Sequence, residues 1–93
     1  MANPLARIKG INGQIVALDA DIEQVADELA MLRHIDDDAK RDAAVSGNYD
    51  DRVAAKMTHA DVVRIEKQIV NMERTRARLV AKRDRLVRIL VAQ

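Results

Sequence analysis

Branched aliphatic residues recur along this chain at alternating steps of three and four. In the first half Ile8, Ile11, Ile15, Leu18, Ile22, Val25, Leu29 and Leu32 hold that spacing without a break. This is the a/d stripe of four heptads on one face of an α-helix, not the period of two that marks a strand. In the second half Val62, Ile65, Ile69, Met72, Leu79, Leu86 and Leu90 continue the rhythm, with Arg76 and Arg83 standing at two of the a positions. Two long helices are predicted, the second with a flawed seam. Asn3 suits an N-cap and Pro4 suits the first helical position, where its missing N–H costs nothing, so the first helix is expected to begin near residue 4.

The two stripes match when the chain folds back on itself. Ile8/Leu86, Ile15/Leu79, Ile22/Met72, Val25/Ile69, Leu29/Ile65 and Leu32/Val62 are all symmetric about Gly47, and glycine takes the positive φ that a tight reversal or a helix C-terminus needs. The expected fold is all-α, an antiparallel two-helix coiled-coil hairpin with arm 1 at about 4–45, a tip at 46–50 and arm 2 at about 51–92. Each arm would run about 60 Å. Beyond Leu32 the facing pairs become Asp36/Thr58, Ala39/Ala55 and Ala43/Asp51, so packing is expected to weaken towards the tip. "THAD", Thr58 to Asp61, has the spacing of a capping box and offers an alternative: the second long helix starts there and 36–57 form shorter pieces. The aspartates at 36–38 and at 50 and 51 suit the first turns of helices.

Composition fits long helices or coiled coils: 33% of the 93 residues are charged, and the aromatics are reduced to Tyr49. A single domain is expected. Its core is thin for its size, and with no cysteine neither a disulfide nor a thiolate zinc site supports it. The beginning, "MANPLARIKG", lacks the apolar segment of a signal peptide, and the apolar runs are only a few residues long, so a cytoplasmic protein without a membrane partner is expected.

The net charge of +1 conceals a polarised distribution. Residues 62–93 carry nine basic and three acidic side chains, leaving residues 1–61 at −5. Arg64, Lys67, Arg74, Arg78, Arg85 and Arg88 fall on heptad positions c and f and form one outward stripe. It reads as a solvated face, as a contact for an acidic protein surface, or as a ridge for nucleic-acid phosphates. With no aromatic stacking platform and no helix-turn-helix spacing, sequence-specific recognition is not expected.

A second apolar seam, Val63, Val70, Ala77, Val80, Val87 and Val91, lies on positions b and e of the second helix. Val16, Ala17, Ala20, Ala30 and Met31 also stand outside the a/d stripe of the first. Either these are scattered surface residues, or the apolar face is wider than one partner helix covers. The second reading predicts self-association: a homodimer forming a four-helix bundle, or a larger assembly. Gly10 and Gly13 on the outward face mark fraying or close approach of another chain.

Chemical motifs are sparse. His34 and His59 approach one another in the hairpin register, with Asp38 and Asp61 near, but they occupy positions f and e and need not converge, so no metal is expected. Ser46 has no base set beside it. No enzyme, cofactor or small-molecule substrate is expected.

"NYDDRVAA", residues 48–55, resembles the acidic tip of the coiled-coil regulators that enter the secondary channel of bacterial RNA polymerase, where tip carboxylates act near the catalytic magnesium. The resemblance covers the hairpin alone, without a cysteine-bound zinc module or a second globular domain. Read from the residues, the segment has two uses: as a bend alone it needs Gly47 and little from Tyr49, Asp50 or Asp51 beyond capping, and as a working tip it presents Tyr49 as an anchor and the two aspartates as a charge match to a basic cleft. A second hairpin class, secreted helical dimers with a Trp-x-Gly turn, is excluded because the chain has no Trp. The leading functional expectation is a small oligomeric adaptor or regulator acting by protein–protein interaction. The alternatives are a nucleic-acid-associated protein using the basic stripe, and an inhibitor or regulator of a nucleic-acid enzyme such as RNA polymerase.

Overall fold

The computed structural model describes residues 3–93, all but four of them helical and none in a strand. Helix α1 runs Pro4–Ser46 and helix α2 runs Tyr49–Ala92. Together they form an antiparallel helical hairpin. Asn3 is the N-cap of α1, its Oδ1 accepting from the Leu5 N–H at 2.8 Å, and Pro4 follows at the position where an N–H would have no partner.

The inward positions of α1 keep the heptad from Ile8 through Ala43, and those of α2 keep it from Asp51 through Leu90. The pairing divides into two compact units. In the unit that holds both chain ends, Ile8, Ile11, Ile15 and Leu86 form a buried cluster, with Leu79, Val80 and Leu90 packed against it. Arg76 and Arg83, the two interruptions of the seam, are half-buried, and their guanidinium groups bond to polar side chains of α1. The Arg76 guanidinium donates to both carboxylate oxygens of Asp19, from Nε at 2.5 Å and from Nη2 at 3.2 Å. Arg83 donates from Nη1 to Asn12 Oδ1 at 3.3 Å.

In the unit spanning Gln24–Val70, Leu29, Val62 and Ile65 form the buried cluster and Val25, Leu32 and Ile69 pack on it. Ile65, 2% exposed, is the most enclosed side chain described. Towards the turn the interior becomes polar and small. The helix nevertheless continues through Thr58, so the capping-box alternative does not form. Thr58 Oγ1 is occupied by Asp36 Oδ1 at 2.9 Å and by the Ala55 carbonyl at 3.0 Å. A cap would use that oxygen as acceptor for N–H groups two or three residues on, and within the continuous helix those already bond one turn back.

Candidate interaction surfaces

The turn is built from four residues. Gly47 has φ +64° and its N–H donates to the Ala43 carbonyl at 2.9 Å, which closes α1 with a left-handed cap. Asn48 then caps α2: its Oδ1 accepts from the Asp51 N–H at 2.8 Å, three residues on. Ser46 ties the two ends together. Its hydroxyl accepts from the Asn48 N–H at 3.3 Å and donates to the Asp51 carboxylate. Asp51 is therefore a structural member of the turn. Asp50 is exposed, and so is Tyr49, at 72%. Of the three expected tip contacts, the structure leaves two with no part in the turn's hydrogen bonding. Tyr49 lines a shallow depression of about 160 Å³ with Arg52, Val53 and Lys56, so its surroundings on α2 are basic and apolar.

A polar layer sits below the tip. Asp36 is buried at an a position, 4% exposed, and takes Lys40 Nζ at 2.8 Å, Thr58 Oγ1 at 2.9 Å and His59 Nδ1 at 3.5 Å. The Lys40 hydrogen bond is the main cause that lowers the carboxyl's pKa, against the opposing pull of burial. Heptad spacing places an aspartate here but does not identify its three partners, which come from α1 and α2 together. His59 is drawn to Asp36 and Lys40. No group of three metal-ligating side chains occurs among the described residues. At the other end, Asp19 is likewise lowered, by its hydrogen bonds to Arg76, and Arg76 is raised in return.

The basic stripe is exposed at all six positions. Arg64 pairs with Asp61 at 3.7 Å, one turn back on its own helix. Among the described residues Lys67, Arg74, Arg78, Arg85 and Arg88 have no carboxylate within ion-pair distance.

The apolar b/e seam divides. Val80 packs on the hairpin's own cluster and Val63 is half-buried, so these two already contribute to the fold. Val70, Val87 and Val91 are exposed, Val70 at 45%, and Ala77 is exposed between them. On α1, Leu5 and Val16 are exposed at heptad positions e and b. Gly10 and Gly13 have open space where a Cβ would stand. Among the described residues no helix is long and apolar enough to cross a membrane.

No family model, curated protein or solved structure matches this chain.

Proposed function

We propose that the protein is a non-enzymatic binding module, an oligomeric adaptor or regulator whose helix faces engage other proteins and further copies of itself. The supporting observation is the surface left over once the hairpin has closed. That surface is in part apolar, at Leu5, Val16, Val70, Val87 and Val91, where water contact is unfavourable by about 25 cal/mol per Å². Light scattering at micromolar concentration tests the reading: a dimer mass is expected for the native chain, and a monomer mass for Val16→Asp with Val70→Asp at unchanged helicity. Val80 is unsuitable for that test because its loss would damage the hairpin itself. A native monomer would remove the reading.

A second reading, a nucleic-acid-associated protein, is favoured by the five cations of the stripe that lack carboxylate partners. Lys and Arg in a row neutralise phosphates without base readout, so binding would be similar across sequences and steeply salt-dependent. Replacing Arg74, Arg78 and Arg85 with Gln would then weaken it uniformly and flatten the salt dependence. Absence of DNA or RNA binding by the native protein at low salt would eliminate this reading.

A further inference from the structure

Charge in the unit that holds both chain ends is divided between the two sides of its seam. With Ile8 and Arg76 as a positions, the g and c rows of this unit carry Arg7, Arg78, Lys82 and Arg85 against a single carboxylate, Asp21. Its e and b rows carry Asp19, Glu23, Glu73 and Asp84 against a single cation, Lys9. Contacts within the unit fix both sides. Arg76 and Arg83 turn to Asp19 and Asn12, both e positions of α1. On the opposite side Arg7, Gly10, Ile11 and Gln14 of α1 and Lys82 of α2 line one depression of about 230 Å³, so the two g rows meet there.

We infer that this side of the unit seats the phosphate backbone of a nucleic-acid duplex, with Arg7 and Lys82 holding it from the two helices and Arg78 and Arg85 flanking Lys82 on α2. This rests on the second reading above and gives it a site. Arg7 and Lys82 lie outside the outward stripe, and Arg7 is on the other helix.

The four cations are exposed, and among the described residues none has a carboxylate within ion-pair distance. Asp21 stands two helical turns beyond Gln14, about 10 Å along the axis, and pairs with none of them. Arg78, Lys82 and Arg85 follow one another at i,i+4 and i,i+3, where like charges repel and weaken a helix; a polyanion laid along them removes that repulsion. The flank of α1 gives a bulky rod room to approach. Gly10 has open space where a Cβ would stand, and the nearby c and f positions are Ala6, Gly13, Ala17 and Ala20.

The chemistry of the side selects phosphates over the alternatives. A protein partner needs an apolar or aromatic anchor at the centre of its contact, whereas the centre here is Arg7, Gln14 and Lys82. Ile89, the one large apolar side chain exposed on these rows, stands at the end of the g row of α2. Single strands are held by stacking on aromatic rings, and the one aromatic residue, Tyr49, belongs to the other unit. A duplex backbone needs neither feature, only cations, and the guanidinium groups that make up three of the four bind phosphate through two N–H donors at once.

Fluorescence anisotropy with a short labelled duplex, as DNA and as RNA, tests the site. Four phosphate contacts predict that log affinity falls with log salt at a slope of about −4, roughly a hundredfold loss between about 50 and 200 mM. Arg7→Gln with Lys82→Gln is expected to bring the slope to about −2. Lys9→Gln, the same change of charge on the same helix but on the e and b side, is expected to leave it as it is. Equal losses from Arg7→Gln and Lys9→Gln overturn the one-sided site while the nucleic-acid reading stands; no duplex binding by the native chain at low salt overturns both. Gly10→Glu sets a carboxylate in the depression beside Arg7 and Lys82. Glutamate is the better helix former, so this variant is expected to keep or raise Tm while weakening duplex binding. Unchanged binding overturns the seat. Tighter binding of single strands than of duplex, or equal binding of polyglutamate, overturns the assignment to a duplex backbone.

Discussion

Glycine-to-alanine substitution is expected to change stability in opposite directions at Gly47 and at Gly10 and Gly13. None of the three has a heavy atom within 4 Å of where a Cβ would stand, so steric contact with the rest of the molecule drops out and backbone conformation alone decides. Gly47 holds φ +64°. An L-residue there costs about 1–2 kcal/mol, partly offset by the about 0.4–1 kcal/mol that alanine gains by restricting the unfolded chain. The net expectation for Gly47→Ala is a loss of about 1 kcal/mol, a fall of roughly 4–8 °C in Tm for a domain of this size. Gly47→Asn should lose less, since asparagine tolerates this region better. Gly10 and Gly13 are helical and exposed, and each alanine there should gain about 1 kcal/mol. Thermal unfolding followed by far-UV circular dichroism reads all four variants, at one fixed protein concentration because association would shift Tm by mass action. An unchanged or higher Tm for Gly47→Ala would refute the left-handed turn. A lower Tm for Gly10→Ala or Gly13→Ala would refute the expectation that backbone preference alone decides at these positions.

Three further outcomes follow from the packing and the charges. Ile65→Ala should destabilise by about 2–5 kcal/mol, because it empties the most enclosed position, whereas Val45→Ala, fully outward, should stay within about 0.5 kcal/mol; urea midpoints compare them. Asp19 and Asp36 have folded pKa values below their unfolded ones. Their stabilisation is therefore present above the ordinary carboxylate range and lost as pH falls through it towards the lowered values, and Asp19→Asn with Asp36→Asn should flatten that acid limb in a pH series of urea titrations. At the tip, Asn48→Ala should cost about 1 kcal/mol by removing the cap on the Asp51 N–H. Tyr49→Ala with Asp50→Asn should leave helicity intact; loss of a co-purifying partner by that double variant would establish a working tip, and retention of every partner would dismiss one.

The sequence by itself determined what depends on periodicity and on single-residue conformational preference. The 3-4 spacing named the a/d positions that turn inward from Ile8 to Leu32 and from Val62 to Leu90, the symmetry about Gly47 set the register, and Asn3 with Pro4 marked the start. Each of these is local physics: a helix turns every 3.6 residues whatever it packs against, and only glycine takes φ +64° freely. The tertiary structure decided everything that depends on which polar atom meets which across the seam. Thr58 reads as a helix start until Asp36, twenty-two residues away in the chain, takes its hydroxyl. Arg76 and Arg83 read as defects until Asp19 and Asn12 receive them. Val80 reads as a free seam position until the cluster around Ile8 covers it, and the hydrogen bond from Ser46 to the Asp51 carboxylate is not legible in the spacing at all. Heptad spacing assigns each of these residues a direction, but whether a hydroxyl, guanidinium or carboxylate is satisfied depends on distances of about 3 Å between separate segments, which no one-dimensional pattern records.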